Sequence, residues 1–149
     1  MMRTSHPTSV PEQNDPLTGI AEIPLYEVGV LGKASIAVQG RTVELTTAPG
    51  RGEFAAFAVV ALPGIEMISR RIEVRIRVFA GLLTVGWFLQ QEKRWITRRD
   101  APAGDNLLQI IVPGGTRGGE LIFQNNTEFG APARALIEAI TVYPSIKAS

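Results

Sequence analysis

In the stretch RRIEVRIRVFAG, Arg70 to Gly81, the apolar residues Ile72, Val74, Ile76 and Val78 alternate with Arg71, Glu73, Arg75 and Arg77. A period of two predicts a strand with one face buried and the other in water. Similar short runs, separated by turn signals, continue along the chain. Ala34–Val38 and Arg41–Thr47 are hinged at Gln39-Gly40, where glycine accepts the positive φ of a hairpin. Phe54–Leu62 is an almost continuous apolar run ended by Pro63-Gly64, the pattern of a buried strand. Leu82–Gln90 follows Ala80-Gly81 at once and predicts a tight hairpin, with Leu83, Val85, Trp87 and Leu89 on one face.

Further on, Lys93–Arg99 reads as a short polar strand and DAPAGDN, Asp100 to Asn106, as a loop. Asn106–Val112 and Glu120–Asn125 read as strands on either side of the glycine-rich PGGTRGG. Ala135–Tyr143 contains helix formers, yet its β-branched and aromatic end, ITVYP, predicts a closing strand. Met1–Pro16, rich in Pro, Ser, Thr and Asn, has almost nothing to bury and reads as a flexible N-terminal tail. The expected architecture is therefore all-β: an antiparallel β-sandwich of jelly-roll type over residues 17–149, preceded by the tail 1–16.

Composition narrows the chemistry. At 149 residues and 45% hydrophobic, the chain is long enough to bury a core as one domain. The net charge of +1 supplies no overall field for nucleic acid or an anionic membrane, and neither is an expected partner. There is no cysteine, which excludes disulfides, a thiolate nucleophile and cysteine-ligated zinc. The first residues carry no apolar run of signal-peptide length. FAAFAVVALPGI is broken by Pro63-Gly64 and is shorter than the roughly 20 residues of a membrane span. A soluble, cytoplasmic protein is expected.

Catalysis has little to stand on. The one histidine, His6, lies in the tail, and no GxSxG, GxxxxGK[ST] or HExxH motif occurs. The carboxylates are scattered, so a glycosidase-like acid pair has no motif behind it. The expectation is a non-enzyme with no catalytic residue, resident metal or cofactor.

Binding has more candidates. Arg71, Arg75 and Arg77 would present planar donor forks to carboxylate, phosphate or sugar hydroxyls; the same residues also suit a plain solvated face. Trp95, on the register of Lys93, Thr97 and Arg99, is the candidate stacking platform, whereas Trp87 belongs with core residues. Gln90, Gln124 and Asn125 offer amide hydrogen bonds, and Arg117 stands at the tip of PGGTRGGE, which reads as a hairpin loop rather than a phosphate nest. Asp100, Asp105 and Asn106 are a weak candidate calcium set.

The second half of the chain also resembles a known family. Gly81, Leu83, Val85 and Gly86 form a G-x-[LV]-x-[VI]-G element. Leu121, Ile122, Phe123 and Asn125 match an L-[VI]-[FV]-R-N element, with Gln124 in the arginine's place, and Ile137, Ile140 and Val142 match the closing strand. The pattern resembles the jelly-roll, carbohydrate-binding-module-like domains attached to bacterial FkbM-type methyltransferases and glycosyltransferases. The resemblance implies a non-catalytic module that recognises a glycan or glycan-linked substrate, acting alone or beside a separately encoded glycan-modifying enzyme; with the arginine face, the saccharide ligand could be an acidic one. A jelly roll with a tail is equally the plan of structural or assembly subunits, and that alternative stays open, as does the oligomeric state.

Overall fold

A computed structural model describes residues 20–60 and 68–144; the expected tail, Met1–Pro16, lies outside the described residues. The chain is an all-β jelly-roll sandwich of two antiparallel sheets. Its strands are β1 (Ala21–Glu22), β2 (Gly29–Val30), β3 (Ser35–Gln39), β4 (Thr42–Thr46), β5 (Phe54–Ala58) and β6 (Arg70–Ala80). They continue with β7 (Leu83–Leu89), β8 (Arg94–Ala101), β9 (Gly104–Val112), β10 (Glu120–Asn125) and β11 (Arg134–Pro144). The first sheet runs β3-β4-β11-β6-β9, with β1 also on β11; the second runs β2-β5-β10-β7-β8. Among the described residues no helix is long and apolar enough to cross a membrane.

The inward positions follow the expected period. Ile72, Val74, Ile76 and Val78 of β6 face Leu83, Val85, Trp87 and Leu89 of β7 across one buried cluster. Each such side chain contributes about 1.5–3 kcal/mol on burial, which is why the alternation governs which way a strand turns.

Three expectations give way. The predicted hairpin across Ala80-Gly81 does not form: β6 pairs with β9 and β11, whereas β7 pairs with β8 and β10. Gly81, at φ +82°, carries the chain from one sheet to the other, and a Cβ there would sit 3.0 Å from the Cα of Ala133. Both strands need an interior apolar face, and the sandwich supplies it by placing them in opposite layers. The loop expected at Asp100–Asn106 shrinks to Pro102-Ala103, because β8 continues through Ala101 and β9 starts at Gly104. The Phe54–Leu62 run is strand only to Ala58; Val59 is exposed, and its last two residues lie outside the described residues.

Candidate aromatic binding face

The outer face of the second sheet carries an aromatic cluster built by two bulges. Along β5, Ala56 pairs with Phe123 and Phe54 with Gln124, leaving Ala55 as an extra residue. Phe54 and Phe57, three residues apart, would otherwise point to opposite faces; the bulge turns both outward. Along β8, Thr97 pairs with Trp87 and Trp95 with Phe88, which leaves Ile96 extra and packed towards the core. Trp95 is therefore not on one face with Thr97 and Arg99, as strict alternation implied. It stands beside Phe88 instead.

The rings of Phe54, Phe88 and Trp95 meet edge to face, with centroids 5.0, 5.2 and 5.8 Å apart. Such pairs contribute about 0.5–1.5 kcal/mol beyond their buried area. Phe54 and Phe88 belong to strands on either side of β10, so their rings converge above it. Beneath them lies Ile122, which is fully buried although it is not part of the interior cluster. The three rings themselves are only half-buried. The Arg98 guanidinium lies 5.7 Å from the Trp95 ring centroid, within cation–π range.

Polar groups border the rings. Gln124, Thr84 and Asp100 are neighbours in register across β10, β7 and β8, and the Thr84 hydroxyl donates to Asp100 Oδ1 at 2.7 Å. Gln124 donates from Nε2 to the carbonyl of Gly52 at 3.0 Å, which leaves its Oε1 available. At the other end Gln90 donates to Glu120 Oε2 at 3.2 Å, and Glu120 is the register partner of Phe88. Arg117 lines a depression beside Gln90 and Glu92, on a loop tied down by the Trp87 indole N–H, which donates to Gly118 O at 3.0 Å.

Gly86 sets the closeness of the edge strand. A Cβ on it would collide with the Thr97 carbonyl and lie 2.6 Å from Arg98 Cβ. Gly86→Ala should therefore push β8 outward, lower stability by about 1–3 kcal/mol and displace Trp95 from Phe88. Thermal unfolding and the tryptophan emission spectrum check this; an unchanged melting temperature contradicts it.

The other expected ligand residues lie elsewhere. Arg71, Arg75 and Arg77 all face outward, but from the first sheet, on the opposite side of the sandwich from Trp95. No single site contains both. Arg71 stacks on Tyr143, 4.4 Å from the ring centroid, with Nε 3.4 Å from Glu73. That Nε is buried and, despite the ion-pair distance, makes no hydrogen bond. Arg77 donates to Asp105 Oδ1 at 2.7 Å and sits 3.6 Å from Glu138. The Asp105 hydrogen bond, then attraction to Asp105 and Glu138, raises its pKa above the usual arginine value. Arg75 has no acidic partner among the described residues.

Asn125 is a correction. It shares the parity of Leu121 and Phe123 and points inward, fully buried. Its amide nitrogen lies 3.2, 3.2 and 3.0 Å from the carbonyls of Ala48, Gly50 and Ala131, and its Oδ1 accepts from Thr127 N at 3.0 Å. Its job is to hold two loops together, and it has no surface left for a ligand. The calcium candidates are likewise separated: Asp100 faces outward on the second sheet with Thr84, Asp105 pairs with Arg77 on the first, and Asn106 donates to the carbonyls of Pro102 and Gly104. Among the described residues no three histidine or carboxylate side chains converge as a metal site.

The sandwich has the fold of carbohydrate-binding modules. It superposes on the low-affinity xylan-binding module CBM86 from the gut symbiont Roseburia intestinalis with a TM-score of 0.59 at 8% identity, covering 87% of this chain and 97% of that one. It superposes on the xylan-binding module CBM15 with a TM-score of 0.54 at 15% identity, covering 86% and 97%. It also matches part of an arabinose-bound GH51 α-L-arabinofuranosidase, with a TM-score of 0.53 at 10% identity; 86% of this chain spans only 25% of that enzyme. No protein-family model matches the sequence, and no curated protein matches it significantly.

Proposed function

We propose that the protein is a non-catalytic saccharide-binding module, and that its ligand lies on the outer face of the second sheet. The observation that carries this reading is the half-buried trio Phe54, Phe88 and Trp95 with hydrogen-bonding groups on both sides. A pyranose has an apolar face and an equatorial rim of hydroxyls. The rings match the first; the Gln124 amide oxygen, Asp100 and the Gln90–Glu120 pair match the second. The fold shared with xylan-binding modules supports the reading. The resemblance to FkbM-associated domains further suggests that the module works beside a separately encoded glycan-modifying enzyme.

Affinity electrophoresis of the full chain through gels containing xylan, glucan, mannan or no polysaccharide tests the proposal. Retardation by at least one polymer is expected, with a change in tryptophan emission that persists in Trp87→Phe, since Trp95 is then the sole reporter. No retardation by any of these polymers, together with a large concentration-dependent species on gel filtration, would instead identify an assembly subunit.

A further inference from the structure

The first sheet has a second depression with a different chemistry. Strand β11 pairs with β4 over Arg134–Ile137 and with β1 over Thr141–Val142, and its own ladder with β6 shifts register between Ile137 and Ala139. Between the two partners the β11 edge is left as a notch of about 280 Å³. Tyr26, 74% exposed, forms one wall, Glu22 and Arg41 are polar lining, and Ala139 belongs to its floor. Ala139 is the register partner of Arg75, so the notch and Arg75 are one strand spacing, about 4.8 Å, apart. On the β9 side Arg75 and Leu107 border a second hollow of about 470 Å³, and Glu138 lines both hollows.

The charges are unequal in their freedom. Glu138 and Asp105 share the single Arg77 guanidinium, at 3.6 and 2.7 Å, so Arg77 is already engaged. Arg75 in the middle of the sheet and Arg41 at the notch have no acidic or hydrogen-bonding partner among the described residues. An exposed guanidinium between an exposed Leu107 and a small Ala139 is an open, planar two-pronged donor for a carboxylate. Next to it, the Tyr26 ring and Glu22 offer a stacking surface and a hydroxyl acceptor. We infer that this groove is a second saccharide site, selective for a carboxylate-bearing chain, and that the module bridges two glycans from opposite sides of the sandwich. The inference builds on the aromatic face being the first site, and the test separates the two.

Isothermal titration with polygalacturonate as the acidic probe, and with the neutral polymer retained in the gel assay, reads each face separately. Arg75→Ala should weaken polygalacturonate binding about tenfold, the effect of losing a charge-assisted hydrogen bond, and leave the neutral polymer unchanged. Trp95→Ala should do the reverse. Wild-type protein should also capture soluble polygalacturonate onto beads carrying the neutral polymer, and each variant should lose that capture. Absence of polygalacturonate binding by the wild type, or binding that Arg75→Ala leaves intact, overturns the second site while neutral binding still stands. Loss of both ligands in Trp95→Ala also overturns it, because one face would then serve both. Should the neutral polymers fail while polygalacturonate binds through Arg75, the aromatic-face reading falls and the groove remains.

Discussion

Replacing Trp95 with alanine is expected to abolish measurable retention by neutral polysaccharide, a loss of at least about 30-fold in affinity. Aromatic residues at the centre of a contact surface commonly carry about 2 kcal/mol or more of the binding energy. Trp95 is central here, because its ring touches both Phe54 and Phe88 and accepts Arg98 on its face. The same truncation removes two edge-to-face pairs from a half-buried position, so stability should fall by only about 1–2 kcal/mol. Circular dichroism and calorimetry on the variant separate the two effects. A folded variant that is still retained like the wild type would remove the aromatic face from consideration.

The largest stability effect is expected at Asn125. Leucine in its place keeps the branched shape but deprives the carbonyls of Ala48, Gly50 and Ala131 of a donor and Thr127 N–H of its acceptor. Buried groups left unpaired cost about 1 kcal/mol or more each, so Asn125→Leu should destabilise by about 3 kcal/mol and lower the melting temperature by roughly 10 °C. The effect should also reach the aromatic face. Gly52 N donates to the Asn125 carbonyl at 2.7 Å, and Gly52 lies just before Phe54 in the chain. A melting temperature unchanged within about 2 °C would contradict this.

The sequence predicted some of this well, for a definite reason. Alternation in β6 and the shared parity of Leu121, Phe123 and Asn125 report burial directly, because each side chain in a strand has only two directions. That parity already pointed Asn125 inward; reading it as a surface amide overlooked its own neighbours. The aromatic face was harder to see. Phe54 and Trp95 reach it through one extra residue in each of two strands, Ala55 and Ile96, and a bulge leaves no fixed signature in the residue pattern. Gly81 was ambiguous for a related reason. A glycine at positive φ serves a hairpin and a crossing between layers equally well, and only the partners of β6 and β7, distant in sequence, decide between them.

The arginine row shows how far a pattern can mislead about chemistry. Three similar side chains on one face of one strand meet three different fates: Arg71 lies on a tyrosine, Arg77 is held by two acids, and Arg75 is open. Their neighbours on β9 and β11 make the difference, and those strands lie some thirty to seventy residues further along the chain.

Strand β11 occupies the middle of the first sheet, between β4 and β6, although it is the last strand described. During synthesis β3–β4 and β6–β9 therefore leave the ribosome as two separate ribbons whose inner edges have nothing to pair with until Pro144 emerges. Sheets closed by such distant segments form slowly, and unpaired edges in the interval invite aggregation. Premature termination anywhere within β11 would leave not a slightly shorter protein but one whose two half-sheets cannot join, and expression of the chain should depend sharply on the integrity of those final residues of the sandwich.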